Sequence, residues 1–185
     1  MKNNPKNILI VRTDRIGDLI LTLPLAGLIK KQYPDSRVSF LVREYTKNIV
    51  SNHPYVDEVI VLKESDGNVP LFENVNIIKQ KKFDTCIVVY PRFKISLIVF
   101  FSGIKNRIGT GYRWYSFLFN QKVYEHRKNA ERHELEYNVN LLEKLGVKTN
   151  ISDSSVSYDF RVDESSLQTV IRILIDEKID LQKPI

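Results

Sequence analysis

The chain has 185 residues, of which 43% are hydrophobic and 27% are charged, and its net charge is +6 at pH 7. This length predicts one domain with its own hydrophobic core and excludes two domains of ordinary size. The only cysteine, Cys86, excludes an internal disulfide, and its apolar surroundings predict a buried core thiol. Because the apolar runs are too short for a signal-peptide core or a transmembrane helix, we expect a cytoplasmic protein.

The first predicted unit is a strand, a loop and a helix. Residues 8–11 form an unbroken apolar run, which is typical of a strand buried on both faces of a parallel sheet. The polar turn at residues 13–18 follows, and apolar residues then recur at helical spacing, with Pro24 predicting either a kink or a fresh start. Open α/β sheets bind ligands at the carboxyl ends of their strands, so the charged residues of this turn are candidates for chemistry. The residues alone also allow Asp18 to be a helix N-cap and Arg15 to be merely solvated.

Strand and helix patterns alternate along the rest of the chain. Further strands are predicted at residues 37–42, 57–62, 84–90, 106–109 and 156–160. Helices are predicted at residues 44–51, 71–80, 95–101 and 131–145, the last ending at Gly146, and a final helix is expected after an Asp163 cap. This alternation predicts a doubly wound parallel sheet of the α/β class, Rossmann-like in topology, although the chain has neither a G-x-G-x-x-G sequence after the first strand nor a Walker lysine loop.

Positive charge and aromatic residues are concentrated between residues 84 and 133. This stretch contains nine Lys and Arg residues and three acids, an excess that equals the net charge of the whole chain, and it holds ten of the 19 aromatic residues. Such a stretch suits an anionic partner with flat or apolar parts, such as a phosphorylated lipid-linked sugar, a membrane surface or a nucleic acid. A solvated basic face over a partly aromatic core is the alternative. Residues 110–127 are predicted to be irregular, either a ligand clamp or a simple connection.

Three segments resemble the heptosyltransferase family (glycosyltransferase family 9), whose members build the lipopolysaccharide core. Residues 15–18 (RIGD), between an apolar strand and Leu-Thr-Leu-Pro, resemble its amino-terminal signature. Residues 52–60 (NHPYVDEVI) resemble the segment that leads into its third strand. His133-Glu134 and residues 141–147 (LLEKLGV) resemble a helix near the end of its amino-terminal domain. The three segments occur in the family's order and cover most of the chain up to Val147.

The resemblance implies the amino-terminal half of a two-domain GT-B glycosyltransferase. Residues 1–160 would form the acceptor-side Rossmann-like domain, and residues 161–185 a linker helix toward a donor-binding domain that this chain lacks. The chain alone is therefore expected to be inactive. The implied activity is inverting transfer of a sugar from a nucleotide sugar, such as ADP-heptose, to an anionic, lipid-linked lipopolysaccharide-core or related glycan. Contact with the inner face of the cytoplasmic membrane is also expected.

The resemblance assigns Asp18 as the general base for the acceptor hydroxyl, with Gly17 leaving room for the acceptor. Arg15 and Arg113 are candidates for its phosphate or carboxylate groups, because a guanidinium matches those groups. His133 is a candidate for acceptor contact and equally for local pairing at a helix start. No metal or cofactor besides the donor substrate is expected, and no nucleic-acid partner. The alternative is a Rossmann-like module that binds nucleic acid or another anionic ligand without catalysis; the absent glycine motif disfavours a dehydrogenase-like domain.

Overall fold

The centre of the protein is a sheet of six parallel strands in the order β3-β2-β1-β4-β5-β6. A computed structural model describes residues 4–65, 67–125, 132–148, 156–162, 164–177 and 179. The strands are β1 (Asn7–Val11), β2 (Arg37–Val42), β3 (Glu58–Val61), β4 (Thr85–Val88), β5 (Asn106–Thr110) and β6 (Gln121–Val123). The chain builds outward from β1 to β3 and then from β4 to β6 on the other side, so the strand order reverses between β1 and β4. Ligands of open parallel sheets bind at such a reversal.

Helices connect the strands. They are α1 (Ile16–Ile20), α2 (Pro24–Gln32), α3 (Lys47–Ser51), α4 (Leu71–Gln80), α5 (Phe93–Phe101), α6 (Glu134–Asn140) and α7 (Glu164–Asp176). Short 3₁₀ segments occupy Glu44–Thr46, Ser116–Leu118 and Leu141–Leu145. Within the described ranges, no helix is long and apolar enough to cross a membrane.

Strand β1 is buried on both faces, as its unbroken apolar run predicts. Ile8 and Ile10 belong to a core cluster that includes side chains of α2 and α6, whereas Leu9 and Val11 belong to a second cluster that includes side chains of α4 and α5. Successive side chains of a strand point to opposite faces, so helices cover both sides of the sheet. The predicted doubly wound α/β fold is confirmed.

Several local predictions are also confirmed. Pro24 starts α2 afresh as its first residue, where the missing amide proton costs nothing. Gly146 ends the Leu141–Leu145 segment with a left-handed φ of 82°, which a residue without a Cβ adopts readily. Cys86 is fully buried, and this burial raises the pKa of its thiol.

Four predictions differ from the structure. Residues 156–160 form no strand, because Asp159 has a left-handed φ of 47° that breaks extended geometry. Strand β6 was not predicted, since its three residues are all half-buried and show no apolar pattern. The predicted 131–145 helix begins at Glu134 and tightens into the 3₁₀ segment. Helix α5 begins at Phe93 rather than at residue 95, and Phe100 and Phe101 at its end are exposed. The Asp163 cap lies outside the described residues.

Candidate active site

A buried arginine organises the carboxyl edge of the sheet. Arg12 follows β1 directly, and its backbone amide donates to the Leu41 carbonyl of β2 at 3.1 Å, which extends the strand ladder by one step. Its side chain is only 2% exposed. Burial of a permanent positive charge requires pairing with anionic groups, and three carboxylates supply it.

The three carboxylates come from separate segments. Asp14, in the loop after β1, accepts from Arg12 Nε at 2.6 Å and from Nη2 at 3.0 Å. Asp18, in the first turn of α1, has Oδ1 at 3.0 Å from Nη2. Glu134, in the first turn of α6, has Oε1 at 3.1 Å from Nη1. Arg12 therefore ties the strand-end loop to a helix more than 100 residues away in sequence.

Asp18 does not cap α1, so the N-cap interpretation is wrong. The helix begins at Ile16, and its N-cap is Arg15, whose side chain makes no capping hydrogen bond. The Asp18 carboxylate instead binds Arg12 through Oδ1, and its side chain remains 33% exposed. Asp18 is therefore a partly exposed carboxylate near the end of β1, with one oxygen paired to Arg12.

Asp14 differs from Asp18 in its environment. Its side chain is 9% exposed. This burial raises the pKa of the Asp14 carboxyl; Arg12 opposes the shift, and the nearby negative charge of Asp18 adds to it. The carboxylates of Asp14, Asp18 and Glu134 are therefore crowded around one guanidinium. The Tyr45 hydroxyl also donates to the Asp14 backbone carbonyl and fixes this loop from the β2 side.

Two cavities meet at Asp18. The first, which we call the reversal cavity, has a volume of about 550 Å³ and lies over the β1–β4 reversal; its charged lining residues are Arg12, Asp14, Asp18, Arg113, Glu125 and Glu134. Tyr90, Pro91, Thr110 and Tyr112 also line it. The second cavity, about 580 Å³ and widely open to solvent, is lined by Arg15, Gly17, Asp18, Ile20, Leu21 and Tyr158. Asp18 therefore stands between two hollows at the edge where a ligand is expected.

The structure brings four of the five predicted site residues to these cavities. Asp18 and Arg113 line the reversal cavity, and Arg15 and Gly17 line the open one. A Cβ added to Gly17 would meet nothing within 4 Å, so this side of the loop is open. His133 lines neither cavity: it is the N-cap of α6, and its Nδ1 accepts from the Leu135 amide at 3.3 Å. The structure therefore shows the local pairing at a helix start that was the alternative prediction for His133.

Sequence reasoning missed Arg12 and left Asp14 unassigned. The available signal was an arginine placed directly after a fully apolar strand, where burial of its charge demands acidic partners. Tyr90, at the end of the strand next to β1, was also missed; its ring centroid lies 5.7 Å from the Arg12 guanidinium and 5.4 Å from that of Arg92. Within the described ranges, no group of His, Cys, Asp and Glu side chains is arranged to hold a metal ion.

Residues 52–60 stabilise the coil and the sheet beside the site. The His53 ring accepts at Nδ1 from the Tyr55 amide at 3.3 Å, so its proton lies on Nε2, which is 3.1 Å from the Tyr158 carbonyl. His53 thereby holds the coil that places Tyr158 on the wall of the open cavity. Burial lowers the pKa of His53. Asp57 accepts from the Val38 amide at 2.6 Å and pairs with Lys30 at 2.8 Å, and it fixes the sheet rather than the site.

Known proteins of similar sequence are glycosyltransferases, although no family model matches the sequence. A putative glycosyltransferase from Haemophilus influenzae is 26% identical over 176 residues, which is 95% of this chain and 51% of that protein. Lipopolysaccharide heptosyltransferase 3 from Escherichia coli is 23% identical over 148 residues, 77% of this chain and 44% of that protein. The chain is similar in sequence to heptosyltransferases. The predicted resemblance to this family is confirmed.

Solved structures show the same fold. A glycosyltransferase family 9 protein from Veillonella parvula superposes with a TM-score of 0.79 at 22% identity, over 98% of this chain and 52% of that one. The E. coli heptosyltransferase WaaC with ADP-2-deoxy-2-fluoro heptose gives a TM-score of 0.66 at 20% identity, over 82% of this chain and 51% of that one. The chain spans about half the length of the heptosyltransferases and glycosyltransferases that it matches.

Proposed function

We propose that this chain is the acceptor-binding half of an inverting GT-B glycosyltransferase. The reaction would move a sugar from a nucleotide sugar such as ADP-heptose to a lipopolysaccharide-core or related glycan. The observation that carries the proposal is the Asp18 carboxylate, held on one oxygen by buried Arg12 and open to two cavities at the end of β1. The names of the relatives, several of which are lipopolysaccharide heptosyltransferases, support the same activity.

In this proposal Asp18 is the general base. The acceptor hydroxyl attacks the anomeric carbon of the donor, its proton passes to the Asp18 carboxylate, and the bond to the nucleotide's phosphate oxygen breaks with inversion. Arg12 is a positioning residue, because its ion pair engages Oδ1 and leaves Oδ2 to face the hydroxyl. Asp14, more buried and with a raised pKa, holds Arg12 in place.

The charges of the reversal cavity constrain how the acceptor lies. Four carboxylates line it, so the reacting part of the acceptor is a neutral sugar with its hydroxyl groups toward Asp18. Phosphate or carboxylate groups of the acceptor would lie toward exposed Arg113, and toward Arg15 at the open cavity. A nucleic acid fits this lining poorly, because a phosphodiester backbone would meet the same carboxylates.

The donor, metal and location follow as parts of the same proposal. The nucleotide sugar would bind mainly to a second domain, with this chain closing the other side of the cleft. Residues of that second domain would stabilise the departing nucleotide, so the reaction is proposed to need no metal ion, and a chelator should leave turnover unchanged. We place the protein in the cytoplasm, in contact with the membrane that carries its acceptor.

The test is to separate binding from turnover. The 185-residue chain should bind a lipopolysaccharide-core oligosaccharide in a calorimetric titration, should bind ADP-heptose weakly, and should form no product from the two. A longer chain with the donor half should release ADP and form a glycosidic bond whose anomeric configuration, read by NMR, is opposite to the donor's. Tight binding of ADP-heptose without binding of the oligosaccharide, or product with retained configuration, would contradict the proposal.

A further inference from the structure

Helix α5 is apolar on two opposite sides. Ile95, Ile98 and Val99 are buried against the sheet, as an internal face should be. The opposite side carries Phe93, Phe100 and Phe101, all exposed, with half-buried Leu97 between them at helical spacing. A surface helix normally presents polar residues to water, so this second apolar side needs an explanation.

The loop after β5 enlarges this apolar side. Trp114 is 72% exposed, and its ring centroid lies 4.6 Å from that of Phe93. Phe117, in the 3₁₀ segment that packs beside α5, is 65% exposed. We call the set Phe93, Leu97, Phe100, Phe101, Trp114 and Phe117 the α5 aromatic face. Exposed apolar patches of several large residues mark interaction sites.

The charge around the α5 aromatic face is of one sign. Residues 85–124 contain no Asp or Glu and six basic residues, which are Arg92, Lys94, Lys105, Arg107, Arg113 and Lys122. Arg92 and Lys94 flank Phe93 at the start of the helix, and the Arg107 guanidinium lies 5.1 Å from the Phe100 ring centroid at its other end. Neighbouring α4 contributes one acid to its first turn, Glu73, which is paired with Lys63.

We infer that the α5 aromatic face docks the protein on an anionic lipid bilayer. Tryptophan and phenylalanine prefer the interface between headgroups and acyl chains, and basic residues beside them attract anionic headgroups. A second copy of the chain would bring like charges together. Single-stranded nucleic acid needs flat stacking platforms, whereas Phe100 and Phe101 lie edge to face at 79°.

This docking would bring the reversal cavity to the membrane surface, a step that rests on the proposed function. Tyr115 packs against Phe93 with ring centroids 5.6 Å apart, and its hydroxyl donates to the Pro91 carbonyl at 2.8 Å. Pro91 and Arg113 line the cavity, so the aromatic face begins at its mouth. A glycan anchored in the same bilayer would then reach Asp18 without leaving the membrane.

The test uses vesicles without any glycan, so its result does not depend on the transferase activity. Trp114 is the only tryptophan of the chain and reports on the end of the face beside Phe93. With vesicles of phosphatidylcholine and phosphatidylglycerol, its emission should shift to the blue and be quenched by brominated acyl chains. Pure phosphatidylcholine should give little response, and binding should weaken as salt reduces the Debye length from about 10 to about 3 Å.

A matched pair of double variants locates the contact. Phe100→Ser with Phe101→Ser should lower vesicle binding by about tenfold or more, because two rings no longer enter the interface. Val170→Ser with Ile173→Ser removes the same number of exposed apolar side chains from α7 and should leave binding unchanged. Since all four positions are exposed, thermal melts should match the wild type.

Three outcomes would overturn the inference. One is loss of vesicle binding in the α7 pair but not in the α5 pair. Another is an unshifted Trp114 emission with anionic vesicles. The third is a response to a single-stranded oligonucleotide, or to protein concentration alone, in place of the response to lipid.

Discussion

Replacing Arg12 with methionine, which keeps the length of the side chain but removes its charge, should destabilise the fold by about 3–5 kcal/mol. The size follows from what is left behind. Asp14, which is 9% exposed, would lose both of its hydrogen bonds to Arg12. Asp18 and Glu134 would each lose the ion pair with Arg12. At roughly 2–4 °C per kcal/mol for a chain of this size, the melting temperature should fall by roughly 6–20 °C.

The pH dependence of this loss gives the reasoning its sharper test. Burial already raises the pKa of Asp14 while Arg12 opposes the shift, so removal of Arg12 should raise that pKa further. A carboxyl whose pKa is higher in the folded than in the unfolded chain stabilises the fold below its unfolded value of 3.8 and loses that contribution as the pH rises. The stability gap between Arg12→Met and wild type should therefore be widest near neutral pH and should narrow as the pH falls toward 4.

Urea unfolding followed by circular dichroism at several pH values measures this gap directly. Arg92→Met is the matched control, because Arg92 faces the same Tyr90 ring at 5.4 Å but is exposed. That variant should lie within about 0.5 kcal/mol of wild type, as surface substitutions usually do. If Arg12→Met were as stable as Arg92→Met, or if its deficit did not change with pH, the buried cluster would not be the organising feature of this edge.

Three further predictions concern the site and its support. Arg113→Glu should weaken binding of an anionic core oligosaccharide by roughly tenfold or more at low salt, because a charged hydrogen-bond donor becomes a repelling carboxylate; unchanged calorimetric affinity would remove Arg113 from the acceptor site. Gly17→Ala should fold with equal or slightly greater stability, since the added methyl meets open space in a helix, yet it should reduce acceptor affinity by filling that space; a thermal melt and the same titration separate the two effects. Burial lowers the pKa of His53, so its contribution to stability should be complete above the ordinary value of about 6.5 and should decline as the pH falls below it, where the unfolded chain takes up the proton. His53→Gln should therefore flatten the dependence of stability on pH between pH 7.5 and 5, measured by urea titrations. An unchanged dependence would contradict a buried, neutral His53.

The sheet could be predicted because its strands are continuous apolar runs separated by turns. Residues 8–11 need no partner information to be recognised as a buried strand, and Pro24 and Gly146 mark their boundaries by local geometry alone. Strand β6 lacks such a signal, because three half-buried residues depend on β5 for their pairing. A strand was wrongly predicted at residues 156–160, since their apolar spacing resembles one. The left-handed φ of Asp159 and the hydrogen bond between His53 and the Tyr158 carbonyl depend on tertiary structure.

The candidate site was only half predictable for a similar reason. Asp18 and Gly17 lie in a motif that the resemblance identifies, and the end of β1 is where parallel sheets bind ligands. Arg12 pairs with Glu134, which is 122 residues away, and no local sequence pattern predicts this contact. The cap and base interpretations of Asp18 use the same residue type; the start of α1 at Ile16 excludes the cap, and the base assignment stays a proposal.

The central claim is that Asp18 accepts the proton of the acceptor hydroxyl, and turnover by Asp18→Asn in a chain that includes the donor half tests it most directly. Asparagine keeps the shape but cannot take the proton, so turnover should fall by about 10²-fold or more with acceptor affinity nearly unchanged. Asp14→Asn removes a carboxylate from the same guanidinium, and its turnover should stay within about tenfold of wild type if proton transfer, rather than loss of an Arg12 partner, is what matters. Near-normal turnover by Asp18→Asn, or an equal loss in the two variants, would contradict the account.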